Sequence, residues 1–128
     1  YNTQTKIPSY IFKSNQILLS ISPRDFSFIE EGNLSYIFKI FSQHGIHINM
    51  MQNSALSFSV CVDGNKGNFE ATIADLKEQY KVKYNENVTL VTIRSYTEKT
   101  IEEILKGKEI LLEQKSRYTA QFVIVASE

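Results

Sequence analysis

Apolar positions along this chain follow two rhythms. The run "QILLSIS", Gln16 to Ser22, is compact and apolar and ends at Pro23, which predicts a strand. Pro8 followed by "SYIF" predicts an earlier extended segment, at a sheet edge because proline cannot donate to a ladder. The stretch "PRDFSFIEEGN" reads as a loop. Beyond it Leu34, Ile37, Phe38 and Phe41 recur at the spacing of one helical face, with Asn33 as cap and Gly45 as C-terminal stop.

The rhythm then changes to alternation. Ile46, Ile48 and Met50 mark one strand; after a turn near Asn53 and Ser54, Leu56, Phe58, Val60 and Val62 mark another. "DGNKGN" is a cluster of breakers. Phe69, Ile73, Leu76 and Tyr80 line one face of a second helix, and a short strand near Lys81 to Tyr84 closes the unit. The order β-α-β-β-α-β predicts an α+β, ferredoxin-like fold, a four-stranded antiparallel sheet with two helices on one face.

The last third of the chain repeats the beginning. "NQILLSIS" from Asn15 resembles "NVTLVTIR" from Asn87, and "QNSALSFSVCV" resembles "QKSRYTAQFVIV", with Ser54 matching Ser116. The second copy is shorter between these landmarks. Its first helix, Thr100 to Lys106, carries a capping box of Thr100 with Glu103 and ends at Gly107. It lacks a second helix and a fourth strand. Two readings contribute here: the chain is a piece cut from a larger protein, and the early "SYIF" strand fills the vacancy. The expected organisation is two tandem units, 15–85 complete and 86–128 truncated, with 1–14 an edge strand that completes the second.

Composition narrows the function classes. With 14 basic and 14 acidic residues in 128, the formal charge is zero, which disfavours a duplex-binding surface. No apolar run approaches the roughly 20 residues needed to span a bilayer, and no signal-peptide pattern opens the chain. The expectation is a cytoplasmic chain with no membrane and no nucleic-acid partner. The single cysteine, Cys61, reads as a small packed residue in a reducing compartment.

Catalytic chemistry is thin. His44 and His47 flank Gly45 with no nearby thiol, so no metal site is expected. "DGNKGN" lacks the Gly-Lys-Ser/Thr ending of a phosphate loop and reads as a turn. Glu30 and Glu31 beside Gly32 read as partners of a helix dipole rather than an acid–base pair. The fragment itself reads as non-catalytic and without a cofactor.

Ligand binding has better material. Backbone amides at a helix start, here Gly32 to Leu34, attract a carboxylate. Asn49, Gln52 and Asn53 offer carbonyl oxygens to an ammonium group if their strand lies close to that loop. Together they outline a site for a free amino acid. Equally, the same amides can satisfy a tight turn.

The stretch "LLSISPRDFSFIEEGNLSYIFKIFSQHGIHINMMQNSALSFSVCVD" resembles the first of two tandem ACT domains in the regulatory part of aspartate kinase. The resemblance lies in the order and spacing of an apolar strand, a loop ending in Gly-x-Leu, the helix and "HINMMQNSALSFSV", followed by a second copy. It implies a module that mediates allosteric feedback inhibition by lysine or threonine, joined to an N-terminal kinase domain that would use ATP and magnesium. It also implies a homodimer whose first ACT domains pair and bind the effector at their interface. Carried over by position, the effector residues are Ser27, Glu30, Gly32, Asn33 and Leu34 in the loop, then Ile48, Asn49, Gln52, Asn53, Ser54 and Ala55 on the strand and turn.

Lysine-inhibited relatives often carry acidic residues where this chain has Asn49 and Ala55. Without them a buried lysine ammonium needs another partner, such as Glu30 or Glu31, or a neutral effector such as threonine takes its place. Lys115 and Arg117 in the second copy disfavour a bound cation there. Two other readings of the same topology stay open: a single-strand RNA binder, which needs Phe58 and Phe122 facing outward, and a purely structural dimerisation domain.

Overall fold

The computed structural model describes residues 8–24, 31–65 and 67–125. In chain order the elements are β1 (Ser9–Pro23), α1 (Glu31–Gln43), β2 (Ile48–Asn53), β3 (Phe58–Asp63), α2 (Phe69–Lys77), β4 (Tyr80–Arg94), α3 (Glu98–Leu105), β5 (Ile110–Lys115) and β6 (Thr119–Val125). The edge segment "SYIF" and the run "QILLSIS" are one continuous strand, and Tyr80 to Arg94 is another. Within each long strand an asparagine takes positive φ, Asn15 at 55° and Asn87 at 57°. Asparagine tolerates that left-handed geometry better than other residues with a Cβ. The division of the chain falls at these two residues: one unit is Asn15–Glu86, and the second comprises Asn87–Glu128 with the start of the chain up to Ser14.

In the first unit the strand order is β2-β3-β1-β4. β3 runs antiparallel to both β1 and β2, with Ile21 and Asn53 opposite Phe58 at one end and Gln16 opposite Asp63 at the other. Alternation sends Ile17, Leu19 and Ile21 of β1 and Phe58, Val60 and Val62 of β3 to one face. There they meet Ile37, Ile40 and Phe41 of α1 and Ile73 and Leu76 of α2 in a single core. Leu19, Ile21, Ile37, Phe41, Phe58 and Leu76 are almost fully buried, each contributing about 1.5–3 kcal/mol relative to exposure. Gly45 terminates α1 at φ +70°, as its sequence position predicts.

Several local expectations change. Leu56 is 59% exposed in the β2–β3 turn and does not belong to the alternating strand, which starts at Phe58. Tyr80 sits at helical spacing from Leu76, yet α2 ends at Lys77 and Tyr80 opens β4 with its ring buried. Ile48 and Met50 were expected on one face. A β-bulge between them puts Ile48 opposite Val62 and Met50 opposite Cys61, so they face opposite sides of the sheet.

In the second unit the order is β1-β4-β6-β5, with the Ser9-to-Ser14 half of β1 in the position a fourth strand would take. Val91 and Ile93 pair with Phe122 and Ala120, and these with Ile124 pack under Leu105 of α3. Among the described residues this unit has one helix. Its cap is Thr97, whose hydroxyl accepts from the Thr100 amide at 3.1 Å. The expected box starting at Thr100 is thus shifted by one turn, because the helix begins at Glu98.

The repeat is visible in backbone detail. The Ser54 amide donates to the Ser57 carbonyl at 2.9 Å, and the Ser116 amide donates to the Thr119 carbonyl at 2.8 Å. Gly45 and Gly107 both close a helix at positive φ. No helix among the described residues is long and apolar enough to cross a membrane.

Candidate functional site

The candidate site is the end of the first unit where α1 begins and β2 turns into β3. Phe38 of α1 meets Phe58 edge-on at 5.6 Å, and Asn53 is the register partner of Phe58. The first turn of α1 therefore lies at the same end of the unit as Asn53 and its turn. Gly32 is exposed, and among the described residues a Cβ built there would meet nothing within 4 Å. Asn33 is not the cap; it lies inside the helix, and its Nδ2 donates to the Tyr80 hydroxyl at 3.0 Å. The Tyr80 ring also packs against Tyr36, centroids 6.2 Å apart. Leu34 packs against the core. At the same end the Arg24 guanidinium donates to the Lys77 carbonyl.

Across from the helix start, Asn53 is exposed at the end of β2. Gln52 lies opposite Ser59, on the sheet face away from the helices. Ser54 is largely a turn residue: its hydroxyl donates to the Ser57 carbonyl at 3.1 Å and accepts from the Ser57 amide at 3.2 Å. Ala55 is exposed beside it. Ser27 and Glu30 lie outside the described residues, and the side chain of Glu31 does too.

Ile48 and Asn49 are elsewhere. They start β2, so Asn49 is about 13 Å along the strand from Asn53, at the end where α1 stops. Ile48 packs against the core. Asn49 is the bulge residue, and its Nδ2 bridges Gln16 Oε1 and Asp63 Oδ1, both at 2.7 Å. Gln16 Nε2 closes the ring on the same Asp63 oxygen at 2.8 Å, and the Cys61 thiol lies 3.5 Å from Gln16 Oε1. Gln16 is 2% exposed. A buried amide needs partners, and this ring supplies them. The amides of this stretch thus divide: Asn49 and Ser54 satisfy the fold, Gln52 lies on the far face of the sheet, and Asn53 stands at the candidate site.

Reading residues singly missed Tyr80, Gln16 and Asp63. Tyr80 was hidden by helical spacing that carried past the end of α2. Gln16 heads an apolar run, and a polar residue there is the one signal that could have marked a buried network. Elsewhere, His44 Nε2 lies 2.7 Å from Asp75 Oδ2, a link between α1 and α2, whereas His47 is exposed. Among the described residues no three metal-ligating side chains stand together. Phe58 and Phe122 are each 1% exposed, so neither offers a stacking platform for RNA bases. Lys115 lies 3.7 Å from Glu98 and 3.8 Å from Glu113, and Arg117 lies over the Tyr118 ring.

No protein-family model and no curated protein sequence matches the chain. Solved structures do. Escherichia coli aspartokinase III, in complex with lysine and aspartate, is similar over 95% of this chain and 31% of its own, at TM-score 0.73 and 17% identity. Clostridium acetobutylicum aspartate kinase is similar over 91% of this chain and 30% of its own, at TM-score 0.74 and 16% identity. The ligand-free regulatory subunit of aspartate kinase from Thermus thermophilus is similar over 91% and 85%, at TM-score 0.64 and 14% identity. The chain spans about a third of the length of the two whole kinases and most of the isolated regulatory subunit. Its fold is that of the regulatory region of aspartokinases.

Proposed function

We propose that this chain is the amino-acid-sensing regulatory region of an aspartate kinase, inhibited by a pathway end product. The observation that carries this reading is the fold likeness over 95% of the chain to an aspartokinase whose structure holds lysine and aspartate. A tandem, internally repeated arrangement reproduced over that length is a demanding match. The likeness to a regulatory subunit that stands as its own chain supports a role separate from catalysis.

In this reading the effector's carboxylate sits on the backbone of the first turn of α1, around Gly32 and Leu34. That is where the first-turn amides of a helix and its dipole favour an anion. Its ammonium takes the side-chain carbonyl oxygen of Asn53, while Gln52, on the other face of the sheet, stays out of direct contact. Asn49 holds the sheet and stays out of direct contact. Ser27, Glu30, Ser54 and Ala55 keep their proposed places around the loop and turn. Threonine fits the uncharged side chains of Asn53 and Ala55; lysine requires Glu30 or Glu31 as partner for its side chain.

The first units of two protomers pair as a homodimer and share the ligand. An N-terminal kinase domain, with ATP and magnesium, belongs to the same cytoplasmic protein. The effector shifts the kinase by its differential affinity for two dimer geometries, a coupling of about 1–3 kcal/mol. Isothermal titration of the 128-residue chain with lysine, threonine and the other amino acids tests this reading. One amino acid gives saturable heat, and Asn53→Ala weakens it at least about tenfold, the size of a lost charge-assisted hydrogen bond. Absence of heat and of thermal shift with every amino acid at millimolar concentration overturns it. The purely structural alternative predicts that second result.

A further inference from the structure

We propose that the first unit carries a second binding site, a cavity between the N-terminal turn of α2 and the first half of β4 that takes a small organic cation. The occupant is a primary ammonium or guanidinium group on a short apolar stem.

The cavity has a volume of about 330 Å³ and lies within the first unit. Its floor is Ile17 and Ile73, side chains of the core. Phe69 and Tyr84 form an aromatic wall, in edge-to-face contact at 5.2 Å. Glu70 and Glu86 stand at the exposed rim. It is separate from the amino-acid site, because α2 starts at the end of the unit where β3 finishes, opposite the first turn of α1.

Three features favour a cation. First, among the described residues neither Glu70 nor Glu86 has an ion-pair partner. Second, the alternation of β4 puts Val82, Tyr84 and Glu86 on the helix side and Lys81 and Lys83 on the other, so the lysines do not neutralise the rim. Third, an aromatic face beside a carboxylate suits an organic cation better than a metal ion, since the ring quadrupole attracts the charge while the ring contacts the stem. The start of α2 opposes this with its partial positive charge. That is about half an elementary charge against two carboxylates, and the Asn68 side chain already accepts from the Ala71 amide there.

The apolar floor and wall favour an organic over an inorganic cation, because beyond the two rim carboxylates they add hydrocarbon contact and not further oxygen ligands. They also disfavour an anion. What remains is a molecule with a charged head at the rim and a short hydrocarbon stem on Ile17, Ile73 and the two rings.

The test is amide-resolved NMR of the full chain titrated with n-butylammonium chloride. Sodium chloride at equal ionic strength and n-butanol serve as the two controls. Saturable shifts at Gly64, Phe69 to Ile73 and Tyr84 to Glu86, with a millimolar dissociation constant, support the site. The double change Glu70→Gln with Glu86→Gln then weakens binding about five- to tenfold, as expected for two exposed ion pairs. Both residues are at the surface, so that variant folds, and its own spectrum verifies this. Tyr84→Leu weakens the ammonium more than it weakens n-butanol. Linear shifts without saturation, equal response to n-butanol, or undiminished binding in the double variant each overturn the proposal. None of these results bears on the amino-acid titration, which reads the opposite end of the unit.

Discussion

Asn49→Ala separates the structural amide from the sensing one. Removing the side chain deletes two donor contacts from Nδ2, to Gln16 Oε1 and to Asp63 Oδ1, each at 2.7 Å. The bond to the Asp63 carboxylate is the stronger, at about 1.5–3 kcal/mol for a hydrogen bond to a charged group. The amide–amide bond to Gln16 adds about 1 kcal/mol. Asp63 is half-buried and keeps Gln16 Nε2 at 2.8 Å, and water can reach part of the gap, so the lower end applies. The expected loss is about 2 kcal/mol. Urea unfolding followed by far-UV circular dichroism reads it as a fall in midpoint of about 1 M at unchanged slope. A Gln16→Ala change and the double variant complete a cycle, and the two sites are expected to couple by at least about 0.5 kcal/mol. A loss below about 0.5 kcal/mol refutes the argument that the ring holds the start of β2. So does a loss of effector affinity without a loss of stability.

Two further outcomes follow from the packing. Gly67→Ala is expected to cost about 2 kcal/mol or more. Gly67 holds φ +78°, and a Cβ there would stand 2.6 Å from the backbone oxygens of His44 and Gly45; thermal denaturation measures the loss. Tyr80→Phe is expected to cost about 1 kcal/mol by removing the acceptor of the Asn33 amide while the ring stays on Tyr36. The midpoint of chemical denaturation reads that change.

Local rules carried a large part of this protein. The two rhythms of apolar residues determined the order of strands and helices, because buried positions must recur with the period of the backbone that carries them. Gly45 and Gly107 marked helix ends because positive φ is easy only without a Cβ. The matched pairs Asn15 with Asn87 and Ser54 with Ser116 revealed a repeat that the backbone reproduces in φ and in turn hydrogen bonds.

Other features depended on groups far apart in the chain. A bulge at Asn49 depends on how β2 pairs with β3, and one extra residue sends Ile48 and Met50 to opposite faces. Tyr80 fits a helix by spacing, and only the start of β4 beside the core makes it the partner of Asn33. Whether an asparagine grips a ligand or a neighbouring strand cannot be read from its identity, since the same amide does either. For Asn49, Gln16 and Asp63 lie 33 and 14 residues away in the chain, and only the folded sheet brings them to 2.7 Å. Periodicity is a property of neighbours in sequence, whereas hydrogen-bond partners are a property of neighbours in space.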